Sequence, residues 1–102
     1  MSITSQYTEN NTVLTLFVTG DFDYSLAQEF KLTYSNKEAQ QIKNVTVDLS
    51  KTKTIDSSAL GMILGMQKDL GLANDCIRLV NANEIITKVL KITNLNNRFN
   101  TE

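Results

Sequence analysis

Two adjacent serines follow an aspartate at Asp56-Ser57-Ser58, between a strand-like run at residues 45–49 (VTVDL) and an apolar helical pattern. Their hydroxyls stand where the chain leaves a sheet edge and enters a helix. A helix start offers unpaired backbone N–H groups and the positive end of the macrodipole. Asp and Ser are strong N-cap residues, so capping is one use of these side chains. Carrying a phosphoryl group is another, because an anion is electrostatically favoured at that end. The two uses are compatible: one residue caps while a neighbouring hydroxyl stands exposed in the first turn.

Little else in the chain is equipped for chemistry. It has no histidine, which excludes Ser-His-Asp and Cys-His catalysis and the commonest metal ligand. Cys76 is the only cysteine, so an intrachain disulfide and a cysteine-rich zinc site are excluded, and it reads as a small, partly buried hydrophobe. Neither GxGxxG nor GxxxxGK occurs, so no phosphate-cradling loop is present. Asp21, Asp23, Asp48 and Asp56 could gather near one sheet edge as a paired-carboxylate or magnesium site. Their ordinary use is in caps and turns, where Asp bonds nearby backbone. Lys51 and Lys53 flank the serine loop and read as solvated turn residues. No cofactor, no metal and no catalytic residue is expected.

The elements that must position the serines follow from periodicity. Residues 12–19 (TVLTLFVT), rich in β-branched and aromatic side chains, read as a central strand ended by Gly20. A stretch at residues 3–7 pairs with it through Glu9-Asn10-Asn11. Residues 25–40 read as a helix capped by Asp23, with Leu26, Phe30 and Tyr34 on one face. Residues 45–49 and 77–80 are further strands. Residues 57–70 form a second helix, with Leu60, Ile63, Leu64 and Leu70 on one face and Gly71 as its stop. Residues 82–92 form a third, with Ile85, Ile86, Val89 and Leu90 at helical spacing and Asn81 or Asn83 as cap. The asparagine-rich residues 93–102 close the chain as a turn, a frayed edge strand or a tail. Strands alternating with helices predict a single α/β domain over residues 1–102 with a largely parallel sheet. Functional groups then belong beyond the C-terminal strand ends, in the loops at residues 20–23 and 51–58.

The second helix carries one more pattern. Ser58, Met62 and Met66 are spaced by four and share a stripe; Ser57, Gly61 and Gly65 form the neighbouring row. Glycine inside a helix costs about 1 kcal/mol relative to alanine, so two invite an explanation. Small residues admit a close-approaching backbone, and methionines suit adaptable docking surface or irregular core. Spacing alone leaves both uses open.

Length, charge and hydropathy set the remaining bounds. The chain has 102 residues, 41% hydrophobic and 21% charged, ordinary for a globular protein. A net charge of -1 gives no polyanion-binding signature, so nucleic acid is not an expected partner. No apolar run reaches the roughly 18 residues that span a bilayer, so no membrane insertion is expected. The start MSITSQYTENN lacks the basic and apolar regions of a secretory signal, which predicts a cytoplasmic protein.

The segment VTVDLSKTKTIDSSALGMILGMQKDL resembles the signature of the STAS domain, named for sulfate transporters and anti-sigma factor antagonists. That signature runs strand, aspartate, short loop, Asp-Ser-Ser-Gly-Leu-Gly, helix. Gly20-Asp21-Phe22-Asp23 is similar to the family's Gly-Glu-Leu-Asp segment, and residues 89–95 (VLKITNL) to its third helix and following turn. Ala59 stands where the motif has glycine, and Lys51 and Lys53 make the loop more basic. The resemblance implies a mixed four- to five-stranded sheet with about three to four helices mainly on one face.

It also implies a function: an anti-sigma factor antagonist acting as a phosphorylation-controlled switch in signal transduction and regulation of transcription. The unphosphorylated protein would bind a serine kinase or anti-sigma factor and phosphorylation would release it; a PPM-type serine phosphatase would reset the switch. Carried over by position, the phosphorylated serine is Ser58, Ser57 is the first motif serine, and Asp23 and Asp56 match acidic positions beside them; with Asp21 of the adjoining loop and Gly61, Met62 and Met66 of the helix stripe, these residues make up the expected partner-binding surface. A monomer that is not an enzyme is expected. The rival reading is a scaffold docked on an ABC-type transporter ATPase.

Overall fold

The computed structural model describes residues 2–10, 12–35 and 41–101. Strand β1 (Ser2–Thr8) turns into the long strand β2 (Val13–Phe22) and pairs with it antiparallel over seven residue pairs without a register shift. Glu9 and Asn10 take the turn at φ of 54° and 59°, a left-handed conformation that Asn tolerates better than most residues. The third expected turn residue, Asn11, lies outside the described residues.

Parallel partners extend the sheet. Strand β3 (Asn44–Asp48) pairs with the first half of β2, β5 (Ile77–Val80) pairs with β3, and β6 (Asn100–Thr101) adds to β5, giving the order β1-β2-β3-β5-β6. Alternation sets the two faces. Leu14, Leu16 and Val18 of β2 are buried while Phe17 and Thr19 are exposed. Val45, Val47, Ile77 and Leu79 join the buried side, and helices α1 (Ala27–Leu32), α2 (Ser57–Leu70) and α3 (Glu84–Ile92) cover it. The result is a mixed sheet with helices on one face, as the family resemblance implies; the antiparallel β1 makes it mixed rather than wholly parallel.

Two boundaries differ from expectation, each for a physical reason, and a third expectation is narrowed to one of its alternatives. First, β2 does not stop at Gly20. It continues through Asp21 to Phe22, because the stretch expected to be a loop contains strand β4 (Thr52–Ile55), which pairs with it in parallel. The register shifts between Gly20 and Asp21, and Gly20 takes φ 88°, so the bend falls where no Cβ resists it. Second, the first helix opens with a 3-10 turn (Tyr24–Leu26), and the α-helix proper ends at Leu32. The far end of the expected helix, at residues 36–40, lies outside the described residues. Third, the C-terminal stretch resolves into the edge strand β6 after Leu95 and Phe99 have buried against the core.

The helix faces follow the apolar spacing. Leu26, Phe30 and Tyr34 are buried as expected, with ring centroids 5.7 Å apart for Phe22–Phe30 and 5.9 Å for Phe30–Tyr34. Gly71 ends α2 at φ 66°. Ile85 departs from expectation: it is 58% exposed while Ile86 is fully buried, because α3 is one short helix with room for only Ile86 and Leu90 over the sheet. Cys76 is half-buried beside Asp75.

A polar clamp fastens the C-terminal segment to α2. Gln67 is 8% exposed. Its Nε2 donates to Leu72 O at 3.1 Å and Asn74 Oδ1 at 2.7 Å, and its Oε1 accepts from Arg98 Nη2 at 3.0 Å. All three bonds are lost together in Gln67→Ala, with Leu72 O and Arg98 left to find water. The expected loss is about 2–3 kcal/mol, read from denaturant unfolding.

Tyr34 ties α1 to α2 through its hydroxyl, which donates to Asp69 Oδ2 at 3.4 Å. Burial, and then the charge and hydrogen bond of Asp69, push the phenol up to about 12 from its ordinary 10.0. The folded state therefore holds this proton more tightly than the unfolded chain does. The associated stability is complete below pH 10 and disappears as pH rises toward 12. Wild-type protein should lose more stability than Tyr34→Phe over that window in pH-dependent melts; equal losses would contradict the assignment.

Candidate functional site

The serine pair is positioned by backbone. Gly20 N donates to Lys51 O at 2.9 Å, Asp21 aligns with Thr54 and Phe22 with Ile55, and Asp56 N donates to Phe22 O at 3.4 Å. Two successive strand ends are thus held side by side. Asp23 leaves one and Asp56 leaves the other, so the loops at residues 20–23 and 56–58 share one edge. Phe22 and Ile55 point into the core and anchor both.

Asp56 is the N-cap of α2. Its Oδ1 accepts from Ala59 N at 3.0 Å and from the Ser58 hydroxyl at 2.6 Å. The Ser58 hydroxyl, and then the Ala59 N–H, hold the Asp56 carboxyl below the usual carboxylate range. Ser58 is therefore half-buried and engaged as a donor, whereas Ser57 is exposed at the first helical position, with no side-chain hydrogen bond among the described residues.

The neighbouring aspartates have local partners. Asp21 Oδ1 accepts from Thr54 Oγ1 at 2.8 Å; Asp23 caps the 3-10 turn, accepting from Ser25 N at 3.0 Å. Asp48 stands apart at the end of β3, accepting from Ser50 N at 2.9 Å and Asn81 Nδ2 at 3.4 Å. Burial raises its pKa, but the hydrogen bonds from Ser50 and Asn81 outweigh that and lower it. Among the described residues no group of three or more His, Cys, Asp or Glu is arranged to hold a metal. Asp23, Asp48 and Asp56 serve caps and turns, and Asp21 joins β2 to β4.

The proposed docking stripe on α2 holds only in part. Met66 is fully buried in the core, so it is not partner-binding surface. Residues four apart drift about 40° around a helix, and that drift turns the Ser58–Met62–Met66 line from the surface into the core. Met62 is half-buried at the boundary. Gly61 and Gly65 face outward, and a Cβ at either would meet nothing within 4 Å. Internal packing therefore does not require these glycines; they leave a low, smooth helix surface beside Ser57.

Three residues at the site escape a reading by motif. Thr54 pairs with Asp21, but lies in KTKTI, which reads as polar loop. Tyr24 directly follows Asp23 and is 74% exposed. Asn83 caps α3 through Oδ1, which accepts from Ile86 N at 2.8 Å, while its Nδ2 donates to Thr52 O at 3.2 Å and Lys53 O at 3.0 Å. Its capping role is legible in the sequence; its grip on β4 is not.

The family model described as the STAS domain matches residues 4–102. The chain belongs to the STAS domain family. A STAS-domain containing protein of Pseudomonas aeruginosa is 33% identical over 99 residues, covering 97% of each chain. Among solved structures, a proposed anti-sigma factor antagonist of Thermotoga maritima superposes with TM-score 0.75 at 24% identity, covering 97% of this chain and 84% of the other. The Bacillus cell fate determinant SpoIIAA in its phosphorylated form superposes with TM-score 0.71 at 14% identity, covering 99% and 91%. The mixed sheet of six strands covered by three α-helices, counted among the described residues, is therefore the STAS fold. Among the described residues no helix is long and apolar enough to cross a membrane.

The double role of Asn83 yields a graded expectation. Asn83→Ala removes both the cap and the tether to β4 and should cost about 1–2 kcal/mol. Asn83→Asp keeps the cap oxygen but replaces the donor with a carboxylate facing two carbonyls. Thermal unfolding should rank wild type above both variants. A melt unchanged in Asn83→Ala would mean that β4 does not depend on this residue.

Proposed function

We propose that this STAS protein is an anti-sigma factor antagonist that works as a phosphorylation-controlled binding switch. The observation that carries the reading is the exposed Ser57 hydroxyl at the start of a capped helix, at the edge shared by the Asp23 and Asp56 loops. The unphosphorylated protein binds a serine kinase or anti-sigma factor over Asp21, Asp23, Asp56, Ser57, Gly61 and the exposed part of Met62. It contributes no catalysis of its own; the kinase supplies the phosphoryl group and a PPM-type serine phosphatase removes it.

Motif position alone points to Ser58. Exposure and hydrogen bonding favour Ser57, and we assign the acceptor role there. A phosphoryl group on Ser58 would displace its hydroxyl from Asp56 and set a dianion against the carboxylate that caps α2. On Ser57 it would leave that cap intact and lie near the unpaired N–H groups of the first turn. Either way, a charge of about -1.5 to -2 is added beside three aspartates. Burying it in a partner interface with no cation to meet it costs several kcal/mol. About 5.5 kcal/mol suffices to take a two-state equilibrium from 99:1 to 1:99.

The test is phosphorylation by the cognate kinase with ATP, read by mass spectrometry on three proteins. Wild type and Ser58→Ala should each gain one phosphate, and Ser57→Ala should gain none. Phosphate on Ser57→Ala but not on Ser58→Ala would return the acceptor role to Ser58. No phosphorylation of any of the three, with stable capture of an ABC-type ATPase from the native cell, would replace the switch by the scaffold.

A further inference from the structure

Buried polar atoms in folded proteins almost always have a hydrogen-bond partner, and one without a partner calls for an explanation. Among the described residues a single buried side-chain oxygen or nitrogen lacks one: Oδ1 of Asn96. Asn96 lies just past the end of α3. Its N–H donates to Leu90 O at 3.3 Å, beside that of Leu95 at 2.9 Å, so its backbone is fixed. The residue borders a crevice of about 140 Å³ between α3 and the β5–β6 edge, lined also by Leu79, Ala82, Thr87, Leu90 and Thr101. A space of that order holds one six-carbon ring.

The lining narrows what fits. Leu79, Ala82 and Leu90 form an apolar wall. Thr87 spends its hydroxyl proton on Asn83 O at 2.8 Å, and neither Thr87 nor Thr101 donates to Asn96 Oδ1. That oxygen is an acceptor, so only a donor satisfies it. The crevice adjoins a second hollow of about 250 Å³, which shares Ala82 and Thr87 with it and is bordered by the exposed Glu84, Lys88 and Lys91. Two cations against one carboxylate favour a negatively charged group there. A single water would satisfy Asn96 and leave the apolar wall uncovered. An apolar wall with a few placed polar groups is the usual composition of a small-molecule site.

We propose that this crevice binds a small phenolic carboxylate. Its hydroxyl donates to Asn96 Oδ1, its ring lies against Leu79, Ala82 and Leu90, and its carboxylate is met by Lys88 and Lys91. A site that holds a hydrogen-bonding group ready for a hydroxyl discriminates against the analogue that lacks it. None of these residues belongs to the edge that carries the serine pair, so the inference does not depend on the phosphorylation switch.

NMR titration of the wild-type protein with three probes is the test: para-hydroxyphenylacetate, phenylacetate, which lacks the donor, and para-cresol, which lacks the charge. Para-hydroxyphenylacetate should shift the Leu79 and Leu90 methyls and the Asn96 side-chain amide saturably, and bind roughly fivefold or more tightly than either analogue. Asn96→Leu keeps the size of the side chain and removes the acceptor, so it should bind para-hydroxyphenylacetate and phenylacetate equally. The wild-type ranking decides the matter even where Asn96→Leu fails to fold. No saturable shift at millimolar concentrations, shifts confined to other residues, or equal binding of the three probes by wild type would each overturn the proposal and leave water as the partner of Asn96.

Discussion

The parallel pairing of β4 with the far half of β2 is the constraint on which the rest of this structure depends. It involves only Gly20 to Phe22 and Thr52 to Ile55, yet it decides where the site is. Without it, residues 20–23 and 51–56 would be two independent surface loops, and Asp21, Asp23 and the serine pair would have no fixed relation. With it, each loop leaves the same edge within a few residues of a buried anchor, Phe22 or Ile55. The Thr52 hydroxyl adds a buried bond to Val18 O at 2.6 Å, and Asn83 secures the other side of β4. The strand that positions the site is thus held mostly by hydrogen bonds, while the hydrophobic core lies beneath it.

Helix α2 then divides its labour by face. Ala59, Leu60, Ile63 and Met66 bury against the sheet, and Gln67 secures the C-terminal segment. The opposite face, from Ser57 through Gly61 to Gly65, is left low and exposed. Asp56 serves both purposes: one carboxylate oxygen caps the helix and holds Ser58, which leaves Ser57 as the exposed hydroxyl at the helix start. A charge added there acts on a surface rather than on the packing, so binding can change without the fold changing.

Much of this was legible in the sequence, and the exceptions share a cause. The second helix is read correctly from Ser57 to Leu70 because capping, apolar spacing and Gly71 agree. The strands at β3 and β5 follow from dense β-branched runs. Strand β4 was missed because KTKTI has two lysines and only three of its residues pair with β2, and its strand character comes from the neighbour it pairs with. The same omission cut β2 short at Gly20. Met66 was misread as surface because a spacing of four does not hold a constant bearing on a helix of 3.6 residues per turn. The second role of Asn83 joins residues 30–31 positions apart, and no local pattern announces a contact at that range.

The central claim is that phosphate at the start of α2 alters a binding surface and leaves the fold in place. Backbone amide NMR spectra of the unmodified protein and of protein carrying phosphoserine at position 57 test it most directly. The account predicts large shifts for residues 56–62 and for the facing loop at residues 20–24, with β3, β5 and α3 unchanged. Shifts spread through β3, β5 and α3 would mean that phosphate reorganises the domain, and the surface-charge mechanism would be wrong.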